Sequence, residues 1–193
     1  TRTEAKLRQF NAAANNIANA TSFSQTQDGF LEGAQDALNR MGSLAIRAQD
    51  ATLSSEQRML FQKEFRALKD TFNDLRTAQY NGQNLFDGKN LPVATSPEET
   101  MIQAGGIDLF SDEMNAVTAK DTHLDSFSDA QSALRNVAQA VDQIAQHRAQ
   151  IGSTLSGLES ASDRLSTQRT GTQAAYSRIS DSDMATETSN WVR

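Results

Sequence analysis

The chain has no cysteine, only two prolines, only two histidines and no long apolar run. Each shortage removes a class of explanation. Without cysteine there can be no disulfide, thiolate metal site or cysteine nucleophile. The compartment stays open, because a long helical core can be stable outside the cell without cross-links. No stretch of about 18 apolar residues occurs, so nothing reads as a membrane-spanning helix. Eighteen basic residues stand against 24 acidic ones, a net charge of −6. That balance argues against nucleic acid, which requires clustered cations, and gives no basic face to an anionic membrane. Aromatics at 6% and hydrophobics at 37% make a lean core, better suited to packed helices than to a thick globular interior. Pro92 and Pro97 fall in one short region, so proline interrupts no helix elsewhere. The chain begins at Thr1 without a signal-peptide pattern, and both ends read as possible cuts from a longer protein.

What is present is helical periodicity. From Phe127 to Leu165 an apolar residue recurs every three or four positions: Phe127, Ala130, Leu134, Val137, Val141, Ile144, Ile151, Leu155, Leu158 and Leu165. Only Arg148 and Ser162 interrupt this 3.5-residue spacing, which keeps one helix face against a partner. At about 1.5 Å per residue the seam would run for roughly 60 Å. Such a chain is better fitted to building than to catalysis. An earlier helical block spans about 4–50, with Leu7, Phe10, Ala14 and Ile17 on one face. A broader stripe follows, of Phe30, Leu31, Ala34, Ala37, Leu38, Met41, Leu44, Ala45 and Ala48. Gly29, Gly33 and Gly42 within it suggest close approach of a neighbouring helix. Ser54 and Gln57 form a capping box for a second helix carrying Phe61, Phe65, Leu68, Phe72 and Leu75, ending near Tyr80 at an Asn81-Gly82 turn. Burying those five side chains could contribute on the order of 10 kcal/mol before the entropy cost.

Between the helices the pattern changes. Leu85 to Lys89 reads as a short strand, and 99–104 with 107–110 as a small β-hairpin around Gly105-Gly106. Ser126 and Asp129 cap the long helix; its pattern weakens after Leu165 and resumes at about 174–188. The expected fold class is mainly α: an elongated, coiled-coil-like bundle of long antiparallel helices with a small β-hairpin region. Its parts are a first core helix at 1–51, a second at 52–80, a hairpin and loop region at 81–125, and a long C-terminal helix with its extension at 126–193, all one rod-shaped domain.

Candidate chemistry is sparse. His123 and His147 lack partners at zinc-like spacing and read as solvated polar residues. Asp181 and Asp183 lack the glycine and glutamate of a calcium loop. No nucleophile elbow or phosphate-cradling loop occurs. Asn19-Ala20-Thr21 fits a glycosylation sequon, which chance often supplies. No catalytic residue, metal site or cofactor is expected. Arg148 on the seam either pairs with an acidic residue across the helix interface or, the reading preferred, packs its stem while its guanidinium reaches water.

Three segments resemble bacterial flagellins. Ser22–Gly29 through Leu38–Met41 and Leu44-Ala45 resemble the first core helix of that family. Tyr80-Asn81-Gly82 followed by Leu85–Gly88 resembles its F-N-G turn. Ser177, Arg178, Ile179, Asp181, Asp183, Ala185 and Glu187 resemble its C-terminal signature S-R-I-x-D-x-D-x-A-x-E. The resemblance implies a secreted, extracellular filament subunit whose terminal segments pair as long helices, without added outer domains. It places the polymerising termini outside 1–193, so that this chain would be monomeric. It implies other flagellin subunits as partners, with an export chaperone and secretion apparatus for the full-length protein. It also implies an exposed patch, shared by subunit packing and the animal Toll-like receptor for flagellin, at Asn39, Arg40, Leu44 and Glu64. Arg40, Leu44 and Glu64 keep the family's residue type; Asn39 replaces a Gln, and Gly42-Ser43 a bulkier charged pair. A hook–filament junction protein shares the paired-helix design, whereas the C-terminal signature favours flagellin. An intracellular coiled-coil adaptor is a third reading, and an enzyme with a composite site a fourth.

Overall fold

The computed structural model describes the backbone of residues 2–98 and 100–191 and the side chains of 3–98 and 100–178. It is mainly α: α1 (Arg2–Ala48), α2 (Ser55–Arg76), a short α3 (Asp112–Thr118) and α4 (Phe127–Trp191). Four short strands lie between α2 and α4: β1 (Gln79–Tyr80), β2 (Gln83–Asn84), β3 (Asn90–Ala94) and β4 (Met101–Gly105). The chain divides into two compact units. One comprises Phe23–Leu91 and Ala104–Ser153; the other comprises Thr1–Ser22, Pro92–Gln103 and Thr154–Arg193.

In the first unit α1, α2 and α4 form a three-helix core. Gly33 of α1 faces Leu75 of α2 while Arg40 faces Glu64, so these helices are antiparallel. Asp28 meets Arg148 and Gly42 meets Val137, so α1 and α4 are antiparallel too. Leu31, Leu38, Met41, Leu44, Phe65, Phe72 and Ile144 are fully enclosed. Phe61, Leu68 and Leu75 are half-buried at the edge of the α2 stripe. The glycine expectation holds in part: a Cβ on Gly42 would be 3.5 Å from Val137 and one on Gly33 3.8 Å from Leu75, but one on Gly29 would meet nothing.

The long seam is real but rotated from its expected line. The buried positions are Ala130, Ala133, Val137, Ala140, Ile144, Ile151, Leu158, Ala161 and Leu165. Leu134, Val141 and Leu155 are half-buried, and Phe127 is 53% exposed. The buried line therefore advances by three residues from Ala130, Val137 and Leu158, and not by four, and from Ile144 it passes over the half-buried His147 and Arg148 to Ile151. Ala133, Ala140 and Ala161 take the alternate seam positions, and the half-buried Leu134, Val141 and Leu155 flank them. Phe127, as the first residue of α4, lies beyond the enclosed part of the seam.

Helix ends follow local chemistry. The Ser54 hydroxyl accepts from Gln57 N at 3.3 Å, and Ser54 N donates to Gln57 Oε1 at 3.0 Å, completing the expected box. At α4 the Ser126 hydroxyl accepts from Asp129 N at 3.1 Å. α2 stops at Arg76, short of Tyr80, because Gln79 and Tyr80 pair with Asn84 and Gln83. Asn81 and Gly82 have φ of 49° and 77°, the left-handed pair that a two-residue hairpin requires. Where the pattern weakens after Leu165 the backbone does not, and α4 is continuous from Phe127 to Trp191.

The middle of the chain departs most from expectation. Leu85 and Phe86 are both buried and belong to no strand; only Asp87 keeps a bridge, to Asp108. β4 pairs with β3 and not with 107–110. Gly106 N donates to Lys89 O at 2.8 Å and Thr95 N to Thr100 O at 2.9 Å, setting an antiparallel register. Pro92 is tolerated because each strand of a two-stranded ribbon has a free edge. A Cβ on Gly105 would lie 2.7 Å from Lys89 O, so the glycine serves backbone approach and not a hairpin turn. α3, too short to show a helical period, buries Met114 and Val117.

In the second unit α1 and α4 pair around Phe10, Ala13, Ile17, Ala20, Leu158, Ala161 and Leu165. Leu7, Ala14, Val93 and Ile102 pack against this cluster as half-covered neighbours.

Candidate functional site

The expected patch lies across α1 and α2. Arg40 Nε donates to Glu64 Oε1 at 2.5 Å, with the two side chains 49% and 42% exposed. The hydrogen bond from Arg40, helped by its charge, holds the Glu64 carboxyl below its ordinary range. Asn39 is exposed beside them. Leu44 is not part of this surface. Its exposure is 0%, because it shares the inward stripe with Met41, Ala45 and Ala48. The structure thus joins Asn39, Arg40 and Glu64 and sets Leu44 in the core beneath them.

Exposed apolar side chains extend the surface. Arg47 stacks over the Phe61 ring at 4.6 Å. Leu60 is 64% exposed, Met59 55% and Ile46 60%. Sequence reasoning passed over these three. Their signal was available, since each lies off the stripe that Phe65, Phe72, Met41 and Leu44 define.

Arg148 resolves against the preferred expectation. Its Nε donates to Asp28 Oδ1 at 2.9 Å, its Nη2 to Asp28 Oδ2 at 3.2 Å and its Nη1 to Gln35 Oε1 at 3.0 Å. This two-pronged pairing clamps α4 to α1 instead of releasing the guanidinium to solvent. The hydrogen bond to Asp28 raises the guanidinium pKa further. Gln27, a buried polar residue that the periodicity did not single out, donates from Nε2 to Leu85 O at 2.5 Å. It ties α1 to the loop after β2.

Neither histidine is fully solvated. His123 is half-buried, with Nδ1 3.3 Å from Asp125 and 3.5 Å from Asp129. His147 is half-buried on α4, and burial depresses its pKa. Among the described residues no group of three or more His, Cys, Asp or Glu could hold a metal ion, and no helix is long and apolar enough to cross a membrane. Asn19 of the sequon is exposed on α1, and the Thr21 hydroxyl donates to Ile17 O at 2.8 Å. Ser177 and Arg178 are exposed on α4. The remaining signature side chains, Ile179, Asp181, Asp183, Ala185 and Glu187, lie outside the described residues.

The arrangement is a surface across the paired helices α1 and α2. The family model for the bacterial flagellin N-terminal helical region matches residues 1–91, covering α1, α2 and the first hairpin. The model for the bacterial flagellin C-terminal helical region matches residues 134–193, most of α4. The chain belongs to the bacterial flagellin family. Among its relatives is the flagellar filament 31.3 kDa core protein of Treponema maltophilum, 26% identical over 204 residues, which span 93% of this chain and 69% of that protein. Among solved structures, Bacillus cereus flagellin superposes with a TM-score of 0.70 at 24% identity, covering 84% of this chain and 94% of the other. A putative flagellar hook-associated protein from Vibrio parahaemolyticus gives 0.78 at 13% identity, covering 90% and 92%. These two likenesses show a shared fold. Both terminal family regions fall on the antiparallel helices α1 and α4.

Proposed function

We infer that the chain is a structural subunit of the bacterial flagellar filament, assembling with other flagellin subunits through the outer faces of its helices. The observation that carries this reading is the match of both flagellin helical regions, in order, to the paired helices. The flagellin family is structural.

Finer assignments follow from the resemblance. Asn39, Arg40 and Glu64 pack against neighbouring subunits, and the exposed Leu60 and Met59 extend that contact. The same polar patch is the surface offered to the animal Toll-like receptor for flagellin, with Asn39 and Gly42-Ser43 altering its chemistry. An export chaperone and secretion apparatus deliver the full-length protein outside the cell. Electron microscopy of sheared filaments, with mass spectrometry of their subunits, tests the assignment. The protein should be a major component; its absence from filaments would overturn the reading.

The hook-associated likeness favours one alternative, a hook–filament junction protein. Copy number separates the two, because a junction protein would be a trace component restricted to one end of the filament.

A further inference from the structure

The chain carries five methionines, and the structure sorts them by access. Met41 on α1 and Met114 on α3 are both 0% exposed, whereas Met59 on α2 is 55% exposed and Met101 on β4 56%. Met184 lies outside the described side chains. A thioether is oxidised where an oxidant can reach its sulfur, so Met59 and Met101 are the reactive pair among the described four.

Their surroundings differ. Met59 lines an open cavity of about 340 Å³ with Leu53, Ser55, Arg58 and Asp125, which gives a small oxidant room beside the side chain. Leu60, next in sequence, is 64% exposed and stands four residues before Glu64, so the two share one face of α2. Arg47 stacks over Phe61 at 4.6 Å, and Ile46 beside it in sequence is 60% exposed. Met59 thus borders the same α1–α2 surface that carries the Arg40–Glu64 pair. Met101 belongs to the other compact unit, in its 92–103 segment.

We propose that Met59 is a peroxide-sensitive modification site whose oxidation withdraws a subunit from assembly. The step rests on the subunit-packing reading of this surface, with a second copy of the chain as its occupant. Met59 Sδ attacks one oxygen of the peroxide, and the S–O bond forms as the O–O bond breaks. Sulfur is oxidised by two electrons and the peroxide is reduced; with hydrogen peroxide, the displaced hydroxide takes up the remaining proton and leaves as water. The sulfoxide turns a flexible apolar side chain into a polar, chiral one. On a solvated helix face that change costs the fold little, because the new oxygen stays hydrated. Inside a closed contact the same oxygen would be buried without a donor, a cost that the thioether never meets. The unbranched thioether itself suits such a contact, since it adapts to the shape of its partner.

Partial oxidation of the full-length protein with hydrogen peroxide, followed by polymerisation, reads this out. Centrifugation separates filaments from unassembled protein, and peptide mass spectrometry measures the sulfoxide at each methionine in both fractions. Met59 and Met101 should oxidise well before Met41 and Met114. Met59 sulfoxide should be about tenfold scarcer in filaments than in the supernatant, the factor expected when the burial of one methionine side chain is lost. Met101 sulfoxide should be shared evenly. Even sharing of Met59 sulfoxide, equal depletion at both positions, or a Met59 that reacts no faster than Met41 would overturn the proposal. M59L, compared with its own untreated state, should keep its assembly through a peroxide treatment that halts the wild type; an equal loss in M59L would sink the proposal. Failure of the untreated full-length protein to polymerise would remove the packing reading and this step together, whereas filaments that accept Met59 sulfoxide freely would remove this step alone.

Discussion

The two units of this chain solve the same packing problem with different resources. Where α2 joins α1 and α4, three helices enclose Phe65, Phe72, Leu31, Leu38, Met41, Leu44 and Ile144. Leu85, Phe86, Ile107, Leu109, Met114 and Val117 extend the buried set. Where α1 and α4 pair without α2, the enclosed cluster holds three alanines among seven residues, and its largest neighbours stay half-covered. A third helix doubles the faces on which a large side chain can be sealed. Here α1 and α4 bury one narrower strip, with Val93 and Ile102 of the β3–β4 ribbon packed against it. Stability should accordingly concentrate in the three-helix unit.

The sharpest way to break this comparison is Ile144→Asp. It puts an unpaired carboxylate at a fully enclosed seam position and should abolish the cooperative thermal transition. Val141→Asp, only half-buried, should still fold with a lowered Tm. Equal damage from both would contradict the rotated seam.

Truncations probe the two units in turn. Phe72→Ala should lower global stability by about 3–5 kcal/mol in denaturant unfolding, whereas Leu158→Ala should cost about 2–4 kcal/mol. Hydrogen exchange gives the contrast. Leu158→Ala should lose protection around Phe10 to Ala20 and in α4 beyond Thr154, while α2 amides stay protected. A uniform loss would mean that the chain unfolds as one cooperative block.

Arg148→Ala removes the clamp on Asp28 and Gln35. With these side chains about one-third exposed, the loss should be about 1–2 kcal/mol, measurable as a lower denaturant midpoint. A change under a few tenths would return Arg148 to the solvent-reaching role that its flexibility first suggested.

The smallest effect on folding should come from Arg40→Ala. Both members of its ion pair are well exposed, so the Tm should stay close to that of the wild type. Filament yield from the full-length protein should nevertheless drop. An equal loss of melting temperature and filaments would mean that the patch supports the fold and not subunit packing.

Much of this was legible beforehand. Periodicity located α1, α2 and α4, and the Ser54 and Ser126 caps marked two helix starts. What failed was finer. The seam was traced through Leu134 and Val141 because large residues carry more apparent signal than Ala133 and Ala140. β3 was missed because Pro92 hides an edge strand, and α3 because seven residues hold too little period. Leu44 was placed on the surface by family position, although its spacing from Met41 and Ala48 already argued for the core.

Sequence alone determined that this chain is helical, free of cross-links and built around long antiparallel pairs. The helices follow from residue spacing along one chain, which local geometry converts directly into helix faces; the missing cross-links follow from the absence of cysteine, and the antiparallel pairing from the family resemblance. The tertiary structure decided which side of α4 is sealed, that Arg148 clamps Asp28, that Leu44 is enclosed, and that Gln27 reaches the Leu85 carbonyl. Each of these depends on residues distant in the sequence. Only the partner's position determines whether a given face meets water, carboxylate or backbone.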